Sequence, residues 1–388
     1  MKINKYSFFV VIILITITGI FSQESFEDFK KGQKNDYQTF KKNEIKAFKS
    51  YHDEQNSKFI KYKEEIEKKW GEFKTSTPQE WVSYSPDFNG KAEVDFKSGK
   101  VKVEAVSEVE SDKMDENKQK QKVQELVLKQ LKTILKQKDS VNDEPILKNQ
   151  VRASGQTEDI SEDNIEKKAS SIIKEGKFEK SKNKEGKTRF KFKINLTMAP
   201  DHLQKRVKRY KPAIENLCRK NSIDPALALA VIHTESYFNP KAYNRHGNAY
   251  GMMQIVPKYA GRTMNYVLYK SNSKPTSKQL YNPKINLAMG IGYLRWLINN
   301  KWNKVQNKQN LYFAIICSYN GGPGSVYKAM TGKMKNIGNK RWKKMFDDLN
   351  KMDTNSLYNK LRRDIPWAET RKYIKLVKEK MDKYYREI

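Results

Sequence analysis

The chain has 388 residues, 31% of them charged and 37% hydrophobic, with a formal net charge of +32. That length suits two domains, or one domain with extensions. There is no zinc-finger spacing and no aromatic RNA-binding signature, so the strong basic charge is not matched by a nucleic-acid motif.

The charge is unevenly spread. Residues 201–388 carry 37 Lys+Arg against 12 Asp+Glu, a net +25, whereas residues 1–200 carry 40 against 33, a net +7. Such a field favours an anionic partner, whether an acidic membrane surface or an acidic cell-wall polymer. A lysine-rich solvated surface has the same composition, and charge alone leaves both readings open.

The chain opens with MKINKYSFFVVIILITITGIFSQ. Lys2 and Lys5 precede an apolar run from Phe8 to about Phe21, which reads as a charged region followed by the hydrophobic segment of an export signal. Residues 1–22 are therefore expected to be a signal peptide cleaved after Ser22, or an uncleaved N-terminal anchor. Either way the remainder is exported, to the periplasm or cell envelope. No cysteine follows the run, so no lipid anchor is expected at the usual place. Cys218 and Cys317 are the two cysteines of the chain. A disulfide and two buried thiols are both compatible with an oxidising compartment.

Residues 23–75 carry five aromatic pairs spaced by 11: Phe26/Phe29, Tyr37/Phe40, Phe48/Tyr51, Phe59/Tyr62 and Trp70/Phe73. Eleven residues are close to three helical turns, so the rings form one stripe on a long helix. The stripe reads as a packing seam, with stacking on sugar rings as the alternative. Residues 76–199 change pattern. KAEVDFKSGKVKVEAVSEVE alternates around Ser98-Gly99 as a hairpin does, KVQELVLKQLKTILKQ has helical periodicity, and a second hairpin is expected to turn at Lys184-Glu185-Gly186. This is a small α+β module without a catalytic constellation.

From 200 to 388 the periodicity is helical. One helix covers roughly 204–220, and the next starts at Asp224, an N-cap followed by Pro225 at the first helical position. Ala226–Ile232 is apolar on every face, so this helix is buried. Further helices are expected around 252–260, 285–299, 310–318, 355–363 and 369–386. At the end of the buried helix stands Glu235. The preceding acid is Asp224 and the following one is Asp347. Burial and the negative end of the helix dipole both disfavour its charged form, and a carboxyl held protonated near neutral pH suits a general acid. A glutamate neutralising a basic surface is the plainer alternative.

Four motifs in order settle which reading to pursue: Glu235-Ser236-x-Phe238-Asn239-Pro240-x-Ala242, Gly251-Met252-Met253-Gln254, Tyr319-Asn320-Gly321-Gly322-Pro323-Gly324 and, near the end, PWAETRKYIKLV with Glu369, Thr370, Arg371 and Tyr373. Together they resemble the lysozyme-like lytic transglycosylases of family 1, related to goose-type lysozymes. The leader and module further resemble the membrane-bound lytic murein transglycosylase C group, apart from the missing lipid cysteine.

The resemblance implies a fold and a reaction. The fold would be α+β overall: a long N-terminal helix, a small α+β module and an all-α lysozyme-like catalytic domain over 200–388. The reaction would cleave the β-1,4 bond between N-acetylmuramic acid and N-acetylglucosamine of peptidoglycan without water, giving a 1,6-anhydromuramoyl product. Glu235 would act as acid and then base, with no cofactor and no metal. The usual glycosidases need two carboxylates; here the substrate would supply the nucleophile, so one glutamate could serve both steps. Tyr319 would contact Glu235 or the adjacent sugar. Gln254, with Met252 and Met253, would line the groove, although ordinary core filling is the expectation for one of the two methionines, and Tyr373 would close it. Asn320 and Ser236 belong to the same supporting set. Asn244 stands where the family usually has a serine that contacts an N-acetyl group. His233, two residues from Glu235, lies on another helical face and reads as packing, since a zinc site needs several ligands and the chain has four histidines. A hydrolytic goose-type muramidase and a catalytically silent wall-binding or assembly protein are the competing readings. Peptidoglycan strands are the expected partner, with membrane association through the N-terminal segment.

Overall fold

In the computed structural model, the structure describes residues 57–109, 115–183, 186–334 and 338–385, with Lys31, Gln38, Lys42, Lys46 and Glu54. The leader, the first three aromatic pairs and the hairpin residues Lys184 and Glu185 lie outside the described residues. The chain divides into two compact units, Met1–Phe73 and Lys74–Ile388. In the first unit a helix, α1, runs over 57–70. It stops at Gly71, whose φ of 79° suits a left-handed helix end. The Phe73 ring meets Phe59 and Tyr62 edge-on, with centroids 5.8 Å away in both cases.

The second unit begins with an antiparallel sheet. Its strands are β1 (Glu80–Tyr84), β2 (Gly90–Asp95), β3 (Lys100–Val109), β4 (Val151–Arg152), β5 (Lys177–Lys182) and β6 (Thr188–Met198), in the order β1-β2-β3-β6-β4 with β5 also paired to β6. The β2–β3 hairpin closes at Asp95↔Lys100. Gly99 takes φ 71° there, and the Asp95 carboxylate accepts from the Lys97 and Ser98 amides. Alternation puts Ala92, Val94, Val101, Val103, Ile194 and Leu196 on one face, where they pack with Val123, Val127, Leu131 and Ile134 of helix α2 (Glu116–Lys136). A short helix α3 (Ile165–Lys174) completes this layer. The other face carries Lys91, Glu93, Lys102, Glu104 and Lys191 in a ladder of charges. Glu104 is 1% exposed and lies 2.8–3.1 Å from all three lysines. Burial alone would raise its pKa, but the lysines outweigh burial and hold it at about 2.

A second core fills residues 210–385. Its helices are α4 (His202–Asn221), α5 (Pro225–Ser236), α6 (Arg262–Tyr269), α7 (Ser277–Leu280), α8 (Pro283–Lys301), α9 (Lys308–Gly321), α10 (Pro323–Thr331), α11 (Asn339–Lys351), α12 (Thr354–Asp364) and α13 (Ala368–Lys380). The expectation of a helix at 252–260 is corrected. Gly251–Gln254 is a turn, Pro257–Gly261 is a single π-helical turn, and the α-helix starts only at Arg262. Gly251 and Gln254 both have positive φ, which no continuous helix accommodates. Cys218 and Cys317 are buried free thiols, so of the two readings the disulfide is excluded.

Candidate active site

Helix α5 forms as its sequence dictates. Asp224 accepts from the Ala226 amide at 2.9 Å, and Pro225 occupies the first turn. Ala226 to His233 are all buried, which fixes the helix in the core and brings Glu235 to its last turn. Tyr237 and Phe238 then take φ of 54° and 60°, two consecutive left-handed residues without glycine. Such backbone is strained and persists only where the surroundings hold it. Here Arg206 holds it: its Nε donates to the Tyr237 carbonyl at 3.1 Å, while its other nitrogens reach Phe96 O at 2.7 Å and Gln150 Oε1 at 2.8 Å.

The Glu235 carboxyl is packed among protein atoms, although part of the side chain remains accessible. Burial is the main cause that pushes its pKa up to about 7, the nearby Glu369 charge adds to the rise, and the Tyr373 hydrogen bond and the Lys380 charge oppose it. Near neutral pH the group is therefore close to half protonated, the condition for donating a proton and later receiving one. The Tyr373 hydroxyl on α13 donates to Glu235 Oε1 at 2.6 Å. Lys380 donates to the His233 carbonyl at 3.2 Å and lies 4.8 Å from the Tyr237 ring.

Tyr319 on α9 is placed differently from Tyr373. Its hydroxyl donates to the Met253 carbonyl at 2.8 Å, while the charge on Glu235 helps raise its pKa well above the ordinary tyrosine value, burial being the larger cause. It therefore sits near Glu235 electrostatically but bonds the neighbouring turn. That turn is pinned by Asn286 of α8, which is wholly buried. Its Oδ1 accepts from the Met253 amide at 2.8 Å, and its Nδ2 donates to Tyr250 O and Leu280 O at 2.8 and 2.9 Å. The reading of Met252 and Met253 as groove-lining is corrected: both are 0% exposed. Met253 fills the space left by the missing side chain of Gly290, where an added Cβ would stand 2.2 Å from its sulfur. Gln254 donates to Gly251 O at 2.9 Å, and its enclosed Oε1 has no donor among the described residues.

The remaining residues of the set are structural or peripheral in their contacts. Ser236 is buried and donates to Met252 O at 2.8 Å, tying α5 to the turn. Asn244 accepts from the His246 and Gly247 amides at 3.1 Å each and so shapes its own loop. Asn320 accepts from Thr370 at 2.6 Å and faces Glu369 at 3.4 Å, joining α9 to α13. His233 is 3% exposed and contacts the Tyr385 hydroxyl at 3.1 Å; burial, then the Lys380 and Arg206 charges, pull its pKa down to about 3. Asn286 and Lys380 carry no signal in the sequence beyond a polar residue in an apolar helix and one lysine among many.

A helical core that presents one enclosed carboxyl at the end of a buried helix, beside a tyrosine from the last helix, defines a class. Residues 212–341 match the family described as Transglycosylase SLT domain. The particular protein that the chain resembles is membrane-bound lytic murein transglycosylase C, whose N-terminal domain family matches residues 41–209. Among curated proteins, membrane-bound lytic murein transglycosylase C of Photorhabdus laumondii is 33% identical over 192 residues, which is 50% of this chain and 51% of that one. Its counterpart in Salmonella paratyphi B is 31% identical over 205 residues, 53% and 54% of the two chains. The chain thus spans about half the length of the curated relatives it matches. Among solved structures, the 70 kDa soluble lytic transglycosylase of Escherichia coli is 25% identical, with a TM-score of 0.35, covering 48% of this chain and 26% of that one. The SLT-domain match ends at Arg341, so Glu369 and Tyr373 lie beyond it.

Proposed function

We propose that the protein is a lytic transglycosylase that cleaves the β-1,4 bond between N-acetylmuramic acid and N-acetylglucosamine in peptidoglycan. Its catalytic domain, residues 200–388, would have the lysozyme-like fold, preceded by the module 76–199, the helix 23–75 and the export leader 1–22. The observation that carries the reading is Glu235: a single carboxyl enclosed at a helix end, poised near neutral pH, in a match to the SLT family. Glu235 gives its proton to the glycosidic oxygen as the C1–O bond breaks. The carboxylate then takes the proton of the muramoyl C6 hydroxyl as that oxygen bonds to C1. One strand ends in a 1,6-anhydro ring, the other in a free 4-hydroxyl, and no water is consumed. Tyr373 orients the carboxyl, and Tyr319 and Asn286 hold the Gly251–Gln254 turn beside it.

Cell-wall remodelling or turnover in the envelope is the corresponding role, in keeping with the relatives' names. One observation favours the hydrolytic alternative: the charge of Glu369 reaches Glu235, so a second carboxylate stands within electrostatic range. Replacing Glu235 by Gln tests the assignment. Clearance of purified peptidoglycan is expected to fall by a factor on the order of a thousand or more, consistent with losing both proton-transfer roles. Equal clearance by the variant would place the chemistry elsewhere.

A further inference from the structure

Large apolar side chains are mostly covered in the described part of residues 74–388, with eight exposed, and five of these crowd into an 11-residue stretch. Tyr259 is 66% exposed, Tyr266 55%, Val267 40%, Leu268 40% and Tyr269 52%. Helix α6 buries only Met264 and Asn265. Four consecutive exposed residues at its C-terminal end span more than one full helical turn, so they cannot all face the body of the domain. Lys270 closes the helix in the left-handed conformation, φ 55°.

The rim of this patch has one sign of charge. Lys258, Arg262, Lys270, Lys274 and Lys278 are all exposed. None of the five forms an ion pair among the described residues, and the sequence has no Asp or Glu between Glu235 and Asp347. Lys258 lies 5.8 Å from the Tyr259 ring and Lys270 lies 6.0 Å from the Tyr266 ring. Tyrosine rings with polar tips and lysines with apolar stems both suit the headgroup level of a bilayer. Val267 and Leu268 decide between a lipid surface and a glycan: branched aliphatic chains gain by leaving water for acyl chains but have no ring to stack on a sugar. Their cationic rim would meet anionic headgroups.

We propose that the surface from Lys258 to Lys278, centred on Tyr266–Tyr269, is an interfacial patch that binds an anionic lipid bilayer. The proposal does not depend on the reaction assigned to Glu235. Contact at this surface would be additional to any attachment through the N-terminal segment and would set which side of the domain faces the membrane.

The test reads the patch locally in the full chain, so that binding through the leader does not obscure it. Leu268→Cys is labelled with an environment-sensitive fluorophore, while Cys218 and Cys317, both 0% exposed, stay unlabelled. The exposed Ser171 on α3, replaced by Cys and labelled, serves as the reference. On phosphatidylglycerol-containing vesicles with a quencher attached near the headgroup, the label at 268 is expected to lose about half its emission or more, and that at 171 little, as for shallow insertion of one face. The quenching should weaken in high salt, on pure phosphatidylcholine, and in the Lys258→Gln/Arg262→Gln/Lys270→Gln variant, whose peptidoglycan clearance should be unchanged. An unquenched label at 268 on sedimented vesicles would overturn the proposal. So would a label that responds to purified glycan strands or to protein concentration instead of lipid.

Discussion

Glu235 shows how a single proton affinity is assembled from contacts. Burial lifts it, Glu369 lifts it further, and the Tyr373 hydroxyl, which stabilises the carboxylate, lowers it. These causes separate by mutation. General-acid activity requires the protonated form, so turnover falls as pH rises through the Glu235 pKa, near 7. Tyr373→Phe removes a cause that lowers the pKa, so the alkaline limb of the pH profile should move to higher pH. Glu369→Gln removes a cause that raises it, so the limb should move to lower pH. Opposite displacements in the two kcat profiles check the assignment, and displacements of the same sign would refute it. The lone acid and its place at the end of an apolar helix are legible in the sequence. Which tyrosine bonds it is not, because Tyr319 and Tyr373 lie 84 and 138 residues away and only the packing of α13 against both α5 and α9 distinguishes them. The Gly251–Gln254 turn misled in the same way. Of its two methionines one is expected in the core and one on the groove, yet both are buried and a glycine on the facing helix receives Met253.

That glycine belongs to the scale of elements. Gly290 on α8 lets Met253 approach so closely that a Cβ would meet its sulfur at 2.2 Å and its Cβ at 2.7 Å. Gly290→Ala should therefore cost about 1–3 kcal/mol by overpacking. It should also lower turnover, because the Met253 carbonyl that receives the Tyr319 hydroxyl must shift. Thermal unfolding and peptidoglycan clearance measure the two effects, and a variant with unchanged Tm would mean that Met253 repacks freely. Elements with a clear cap, helical period or alternation were the readable ones: α5 through its Asp224 cap and unbroken apolar run, α2 through its period and the hairpin at Ser98-Gly99 through its alternation. The short pieces were not. β1 and β4 are too brief to show alternation, and α10 begins inside a glycine-rich motif that reads as loop. Residues 252–260 have helical composition, but the positive φ of Gly251 and Gln254 prevents an α-helix from starting there.

Across the whole molecule, the second unit contains two hydrophobic cores, one around the sheet and one around the helices. Arg206 is a principal tie between them. It is 1% exposed and donates to Phe96 O and Gln150 Oε1 on the sheet side and to Tyr237 O on the other. No carboxylate pairs with it among the described residues, so its charge is satisfied by oxygen acceptors, among which the Tyr237 carbonyl holds the strained exit of α5. Arg206→Gln should destabilise the protein by roughly 3 kcal/mol, the cost of leaving buried carbonyls without donors. Clearance should also fall at temperatures well below the transition, because Tyr237 is released two residues from Glu235. A variant that loses stability but keeps full activity would show that the module does not position the site. In the sequence this residue is hidden: KRVKRY offers four cations in a half-chain with 37, and only the fold singles out the one that is buried.

The most direct measurement is mass spectrometry of the products released from purified peptidoglycan by the full chain. Muropeptides ending in 1,6-anhydromuramic acid are the expected result, since the C6 hydroxyl takes the place of water when Glu235 acts alone. Products heavier by one water, with reducing ends, would contradict the single-carboxyl mechanism and assign the second role to Glu369.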